Sequence, residues 1–346
     1  MPARGRIPVE NIYYLLAYAW DCLDEADLVS VRPEADMSLV ELFARVLEGG
    51  VTHLLKRGLD RAYVTESAEL AGVRGRIEMG ASVKHLSFSR ARAWCSYDEL
   101  SIDTPANRII LTTLRRLAAE RSMDGRSAES LRDLCRRMPG VTPMVLSDGD
   151  FRRVRVTSNR STYRFILDVC ELVHRNLLVS ETSGDMVFRD FTRDDRQMAQ
   201  LFEAFLLRFY EREQRTFSVS APTLRWDAEG DATALALLPT MRTDLVLESP
   251  TRTIVLDAKY YAEALTQRFD KTSIRSGHLY QLASYMRHLA LTRAAGTVEG
   301  MLVYPRVTES VSVDLTIHGQ RVRVVTVDLS RRWWEVREAL VATVQS

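Results

Sequence analysis

Two aspartates and a lysine carry the clearest chemical signal in the chain. The run Met241-Arg-Thr-Asp-Leu-Val-Leu is followed by Glu248-Ser-Pro-Thr-Arg252 and then by Thr253-Ile-Val-Leu-Asp-Ala-Lys-Tyr260. Two apolar runs flank a turn in which Pro250 suits the second position, a pattern that predicts a β-hairpin. If the hairpin is symmetric about Pro250–Thr251, Asp244 stands opposite Asp257, with the two side chains ~5 Å apart. Carboxylates so placed repel, and each is costly to desolvate. A divalent cation between them reverses that cost, and hard oxygen ligands at this density suit magnesium or manganese. Alternation turns Lys259 to the same strand face as Asp257. Its ammonium can stabilise charge building on a phosphorane-like transition state, or orient the attacking water. Ala258 points the other way and leaves its carbonyl as a backbone ligand. The plainer alternative is a hairpin whose Asp and Lys pair in solvent. D-x-K alone is too short to decide against it; the earlier aspartate at matching register is what favours a metal site.

The neighbouring elements must hold that hairpin. Residues 163–178 and 194–213 read as helices. Strand-like runs follow at 217–220, 241–247 and 253–259, then a helix over 276–291, strands at 300–304 and 322–328, and a last helix over 333–344. Helix, hairpin, helix, strand is a mixed α/β layout. The first half mixes short helices and strands. Residues 39–55 predict a helix that breaks or bends at Gly49-Gly50. Residues 63–83 read as extended segments joined by turns, with Gly72 and Gly75 bracketing Val73-Arg74. Ser101-Ile-Asp-Thr-Pro105 leads into a helix over 101–119 whose first turn can hold Pro105. The polar stretch 120–130 separates it from another helix ending near Pro139-Gly140. A length of 346 residues suggests two domains. The patterns divide the chain into 1–160, an α+β domain, and 161–346, which carries the hairpin.

Composition excludes several function classes. Apolar residues at 46% and charged residues at 27% fit a soluble globular protein. A formal net charge of +1 speaks against DNA binding through one large basic field. A local basic groove, or a partner that carries the DNA contacts, stays open. The most basic segment, 152–164, holds Arg152, Arg153, Arg155, Arg160 and Arg164 without an acid. It reads either as a solvated strand and turn flanking a helix, or as a nucleic-acid or partner contact. Cys22, Cys95, Cys135 and Cys170 are scattered with no C-x-x-C pair, so they read as free structural thiols in a reducing cytoplasm. His174, His278 and His288 fall in helical patterns and read as core or surface residues rather than ligands. Near the start, Arg4 and Arg6 precede an apolar run, but Pro8, Glu10 and Asn11 interrupt it. Ile12, Leu15, Leu16, Ala19, Trp20 and Leu23 instead follow the spacing of a buried amphipathic helix with Asn11 as its N-cap. No stretch is long enough to cross a membrane, so an intracellular, cytoplasmic protein is expected.

The hairpin residues resemble the PD-(D/E)XK nuclease superfamily, which has an Asp after a turn, a variable gap, then D-x-K on the next strand; Thr243 stands in place of the usual Pro. The resemblance implies a central mixed sheet flanked by helices and metal-dependent cleavage of DNA. Gln281 and Tyr285, one turn apart on one helical face, fit the Q-x-x-x-Y feature of some members. Gln281 is taken as a supporting residue, and Tyr285 as an ordinary helix residue. Glu203 is the candidate for the carboxylate that many members place on the first helix to assist the metal. A more specific likeness runs in order along nearly the whole chain. Ile7-Pro-Val-Glu-Asn-Ile-Tyr-Tyr-Leu-Leu-Ala-Tyr-Ala-Trp20, Arg74-Gly-Arg-Ile77, Asp103-Thr-Pro-Ala-Asn-Arg108 and Phe188-Arg-Asp-Phe191 resemble McrC proteins, the nuclease subunits of 5-methylcytosine restriction systems. So do Leu237-Leu-Pro-Thr-Met-Arg-Thr-Asp244, Asp257-Ala-Lys-Tyr-Tyr261, Leu279-Tyr-Gln-Leu282 and Leu302-Val-Tyr-Pro305.

That resemblance implies a partner, a McrB-like AAA+ GTPase forming a hexameric ring. It implies double-stranded DNA carrying modified cytosine as substrate, and a division of labour. The N-terminal domain would insert into the ring and stimulate GTP hydrolysis, with Arg74 and Arg76 as candidate contacts, while the C-terminal domain cuts. The chain has no G-x-x-x-x-G-K-[ST] loop, so GTP is expected on the partner and not here. The rivals are a non-catalytic assembly and GTPase-activating subunit with an inactive nuclease fold, and a plain DNA-binding module. The intact Asp, Asp, Lys set disfavours the first, and the near-neutral charge disfavours the second.

Overall fold

A computed structural model of the chain describes residues 7–26, 37–154, 160–179, 185–260, 265–268, 271–292, 296–306 and 310–345. Arg4, Arg6, Arg155 and Tyr261 of the motifs above lie outside the described residues. The contacts divide the chain into two compact units. Among the described residues, one gathers 7–26 and 37 with 190–345, and the other is built from 38–189. The division expected at 160/161 therefore falls after Arg189 instead, and the first helix joins the C-terminal unit.

That helix, α1 (Val9–Ala19), explains the difference. Its N-cap is Pro8, not Asn11. Asn11 lies inside the helix and is buried, and its amide donates to the carbonyls of Leu329 and Arg331 at 2.7 Å each. A buried amide needs partners, and here the C-terminal loop supplies them. Tyr14 stacks on Trp333 with ring centroids 4.7 Å apart, and Tyr18 meets Phe205 edge-on at 5.7 Å. Offset and edge-to-face ring pairs of this kind add to the burial of apolar area.

In the 38–189 unit, α2 (Leu39–Arg57) starts at a capping box of Ser38 and Glu41. It runs unbroken through the two glycines that were expected to bend it. A Cβ on Gly50 would lie 2.9 Å from Ile166 Cγ1, so the glycine permits a close helix contact rather than a break. Strands β1 (Ala62–Leu70), β2 (Arg76–Ile77) and β3 (Ala93–Ser101) form an antiparallel sheet in the order β1-β3-β2. Residues expected to stay extended up to 83 instead turn into the short helix Met79–Lys84. Helix α3 (Pro105–Ala118) has the expected Pro in its first turn, behind Thr104 as N-cap. Helices α4 (Gly125–Arg136) and α5 (Ser161–Asn176) pack with it. The chain leaves α5 directly into a small hairpin of β4 (Leu177–Val179) and β5 (Met186–Phe188). Of the described residues in the basic segment, Arg152 and Arg153 end the helix Asp148–Arg153, Arg160 forms an ion pair with Asp60, and Arg164 lies on α5.

The other unit is centred on a six-stranded mixed sheet. Helix α6 (Asp195–Glu213), capped by Asp194, leads into β6 (Ser218–Ser220). A two-stranded ladder of β7 (Thr223–Leu224) and β8 (Met241–Arg242) precedes the expected hairpin, β9 (Leu245–Glu248) and β10 (Arg252–Ala258). Helix α7 (Ser276–Thr292) crosses to β11 (Thr297–Pro305), and β12 (Ser312–Ile317), β13 (Gln320–Val327) and α8 (Trp333–Gln345) complete the unit. The strand order is β12-β13-β11-β10-β9-β6, with β10, β11 and β13 mutually parallel and the outer strands antiparallel. A strand buried on both faces reads as a continuous apolar run, as Thr253-Ile-Val-Leu does.

Helices cover both faces. Val246, Val255, Leu302 and Val324 form one core with Leu282, Tyr285, Met286 and Leu289 of α7. Alternation turns Ile254 and Leu256 to the opposite face, where α6 and α8 pack. Gly300 sits in the middle of β11, where a Cβ would meet Met286 Sδ at 2.4 Å and Leu282 Cδ2 at 2.9 Å, so the glycine sets how closely α7 approaches the sheet. No helix among the described residues is long and apolar enough to cross a membrane.

Candidate active site

The β9–β10 ladder pairs Glu248 with Thr253, Leu247 with Ile254, Val246 with Val255 and Leu245 with Leu256. One step further, that register sets Asp244 opposite Asp257, as the symmetric hairpin predicts. Asp244 itself lies in the short break between β8 and β9. The break is fixed by Thr243, which is fully buried; its N–H donates to the Pro222 carbonyl at 3.2 Å and its hydroxyl donates to the same oxygen at 2.8 Å. A proline there would have no N–H to give and no hydroxyl. The turn delivers the Asp244 carboxylate to the end of β10, where its Oδ2 accepts the Ala258 N–H at 2.8 Å.

Asp257 has no exposed surface. Its Oδ2 lies 2.7 Å from Lys259 Nζ, an ion-pair contact rather than a well-aligned hydrogen bond. Among the described residues, its Oδ1 is buried with no hydrogen-bond partner. Burial pushes the Asp257 carboxyl well above the ordinary carboxylate range, and Asp244 adds to that rise while Lys259 opposes it. The Asp244 carboxyl is also raised, again chiefly by burial, against the pull of Lys259 and the Ala258 N–H. Burial alone would lower the Lys259 ammonium, but Asp257 and Asp244 outweigh it and hold the group above its usual value, hence charged. Among the described residues, Lys259 faces both buried carboxyls, and Arg242 adds its charge to Asp244 from the exposed side.

Lys259 is in turn held from α7. Its Nζ donates to Gln281 Oε1 at 3.1 Å, Gln281 Nε2 donates to the Tyr285 hydroxyl at 2.9 Å, and that hydroxyl donates to the Arg242 carbonyl at 2.8 Å. Gln281, expected from the sequence as a supporting residue, therefore holds the lysine by a side-chain hydrogen bond. Tyr285, given no role by the sequence, closes the chain of bonds back onto β8 and is buried. Its apolar neighbours along α7 hid it among ordinary core positions.

Glu203 of α6 is half-buried, 3.8 Å from Arg242, and its carboxyl is raised by burial first and by Asp244 second. It stands within electrostatic reach of the pair. Among the described residues, no three or more His, Cys, Asp or Glu side chains gather in metal-holding geometry. The protein thus offers two carboxylates here, with Glu203 set back. Cys22, Cys95, Cys135 and Cys170 are free thiols. In the other unit, Arg74 lies over the Tyr97 ring at 4.3 Å and 3.4 Å from Glu99, while Arg76 is exposed on β2. Gly75 between them has φ +66, and a Cβ would lie 2.4 Å from the Ser96 carbonyl, so this Arg-Gly-Arg turn requires glycine.

Known proteins resemble the chain in both units. The model of the family described as McrBC 5-methylcytosine restriction system component matches residues 9–305, which include Asp244, Asp257, Lys259, Gln281 and Glu203. The type IV methyl-directed restriction enzyme EcoKMcrBC of Escherichia coli K12 is 31% identical over 336 residues, covering 97% of this chain and 96% of that protein. A solved half-complex from a tetradecameric assembly of Thermococcus gammatolerans McrB AAA+ hexamers with bound McrC shares the fold, with a TM-score of 0.61 at 18% identity over 98% of this chain and 75% of that one. From this agreement across almost the whole length, the chain belongs to the family of McrBC 5-methylcytosine restriction system components.

Proposed function

We propose that this chain is the DNA-cutting subunit of a modification-dependent restriction complex, and that Asp244 and Asp257 hold a divalent cation, magnesium or manganese, for phosphodiester hydrolysis. The observation that carries this reading is the buried Asp257 carboxylate, with one oxygen unpartnered and a second raised carboxyl opposite it. Such a pair is costly without a cation and favourable with one. The donor set fits magnesium in particular, which takes one or two protein carboxylates and fills its other positions with water and substrate phosphate. The Ala258 carbonyl is available as a backbone donor. When bound, the cation would polarise a phosphoryl oxygen and lower the pKa of a water.

The chain's own residues do the rest. Asp244 is oriented by the Ala258 N–H, so its carboxylate cannot swing away from Asp257. Lys259, kept charged by both carboxylates and aimed by Gln281, donates toward the oxygen on which negative charge develops. The apolar floor of Val255, Leu302 and Tyr285 beneath the pair keeps bulk water out and strengthens each electrostatic contact.

The same reading assigns an AAA+ GTPase ring as partner, in line with the McrB hexamers with bound McrC in the Thermococcus structure, and double-stranded DNA carrying methylated cytosine as substrate. It places the protein inside the cell, with its DNA. The 38–189 unit would dock on the ring and stimulate GTP hydrolysis, and the sheet unit would cut. GTP is left to the partner, since this sequence has no phosphate-binding Walker loop. The test is a cleavage assay on methylated and unmethylated DNA, with Mg2+ and GTP, with and without the cognate GTPase. The reading predicts cutting of methylated DNA by the assembled complex. No cutting by the complete assembly, with GTPase stimulation intact, would make the chain an assembly subunit with an inactive nuclease fold.

A further inference from the structure

The metal and phosphate chemistry leaves one polar pair beside the site unexplained. His278 lies on α7 one turn before Gln281, and its Nδ1 is 2.8 Å from the Tyr304 hydroxyl. Tyr304 is fully buried in β11. The parallel ladder pairs Asp257 with Leu302 and Ala258 with Val303, and Lys259 N–H donates to the Val303 carbonyl at 2.9 Å. One step on, Tyr304 is the neighbour of Lys259 on the adjoining strand. Leu302 and Tyr304 share the α7 face of the sheet with Val255, and alternation puts Asp257 and Lys259 on that face too.

The geometry of α7 explains why this matters. His278, Gln281 and Tyr285 are spaced i, i+3 and i+7 and so share one helical stripe. Each is tied to the catalytic end of the sheet: His278 to Tyr304, Gln281 to Lys259, and Tyr285 to the Arg242 carbonyl. Gln281 is the middle tie and the one that touches the lysine. Its outer neighbours fix the helix on either side of it, with Gly300 allowing the close approach that short polar bonds need. A glutamine side chain has several rotatable bonds, so its amide can aim Lys259 only if its backbone is held in place. A shift of ~1 Å in a positioning group can cost ~100-fold in rate.

We propose that the His278–Tyr304 pair is a positioning brace for the catalytic lysine, acting through Gln281. The inference rests on the nuclease reading above and adds to it two residues that act on the lysine through Gln281.

The experiment uses the full chain assembled with its GTPase, cutting methylated DNA at saturating Mg2+. Tyr304→Phe and His278→Ala are each measured alone and combined with Gln281→Ala, and His278→Asn is measured as the conservative variant. Each single change is expected to lower turnover at saturating DNA by ~10-fold, with the KM for DNA and the Mg2+ dependence unchanged. In the Gln281→Ala background each should add less than about two-fold, because residues that act through one another are not additive. His278→Asn, whose amide can keep the bond to the Tyr304 hydroxyl, should recover most of the activity. Wild-type turnover in Tyr304→Phe, or losses that multiply with Gln281→Ala, would overturn the brace. If His278→Ala fails to fold, the Tyr304→Phe cycle decides, since that change keeps the buried ring. Asp257→Ala run in parallel separates the two ideas: if it is inactive while Tyr304→Phe cuts normally, the nuclease reading stands and the brace falls, and if it cuts like wild type, both fall.

Discussion

The two ends of strand β10 carry charge in opposite ways. At its start, Arg252 grips Glu299 of β11 with two hydrogen bonds of 2.8 Å, Nε to Oε1 and Nη2 to Oε2. Arg321 stands 3.7 Å from the same carboxylate and is itself paired with Asp314. The buried Arg323 stands beside them, so three arginines gather on two carboxylates, with the Arg252–Glu299 pair in the bidentate geometry that suits arginine. At the other end of the strand, seven residues on by sequence at most, two buried carboxyls face Lys259, with Arg242 acting on Asp244, and among the described residues a buried Asp257 oxygen has no donor. Glu299 and Asp257 are both largely shielded from water, whereas Arg321 and Asp314 at the rim of the first cluster are partly exposed. At the start of the strand the excess charge is positive and both carboxylates are held by arginine. At its end the excess is negative and buried, an imbalance that a cation would correct.

The largest effects should come from removing that imbalance. Asp257→Asn or Asp244→Ala should abolish cleavage, a loss of at least ~1000-fold as expected when a metal site loses an essential ligand. Thermal unfolding of the metal-free variants should be no lower than wild type, because a buried repulsion has been removed. A metal-free Asp257→Asn protein that melts well below wild type would mean the carboxylate is structural, like Glu299.

Lys259→Ala should reduce cleavage by about 100–1000-fold while keeping calorimetric metal binding, since the carboxylates remain. Lost metal binding with surviving cleavage would move Lys259 to the structural side of the comparison. The mirror-image change is Glu299→Gln at the paired end. It leaves Arg252 and Arg321 short of a carboxylate and should destabilise the unit by about 2 kcal/mol, with cleavage per folded molecule unchanged.

The smallest expected effect is on pH dependence. The Asp257 carboxyl is raised in the folded state, first by burial and then by Asp244, so the metal-free native protein binds a proton more tightly than the unfolded chain. The stability this contributes is fully present below the unfolded carboxylate pKa. It is lost as pH rises from about 4 through the folded value. Metal-free wild type should therefore melt progressively lower as pH climbs toward neutral. Asp257→Asn should flatten that slope, and added Mg2+ should reverse it for wild type. A metal-free melting temperature that rises over the same interval would contradict the sign.

The hairpin carrying the two aspartates and the lysine was legible in the sequence because its register is set locally. Strand alternation has a period of two and the turn is short, so Asp244, Asp257 and Lys259 could be put together by counting from Pro250. Gln281 was legible through its spacing with Tyr285 and the resemblance that gave that spacing meaning. What escaped was set by distant partners. Asn11 looks like a helix cap until the carbonyls of Leu329 and Arg331 are seen to claim its amide. The same contacts draw α1 into the C-terminal unit, which no boundary read along the chain could foresee. Gly50 reads as a helix breaker, and only the nearness of Ile166 shows it to be a packing residue. His278 reads as a core or surface helix residue and Tyr304 as part of a strand, since nothing local says that the two elements bring them to 2.8 Å.

By this proposal the unbalanced end of β10 is a cation-dependent cutting site and not a structural cluster. It is tested most directly by following DNA cleavage and GTP turnover together, in one assembly of the chain with its GTPase on methylated DNA with Mg2+, for wild type and Asp257→Asn. The predicted result is that wild type both cuts and stimulates, while Asp257→Asn stimulates GTP turnover to the same level and leaves the DNA whole. Cutting by Asp257→Asn at the wild-type rate would contradict the claim.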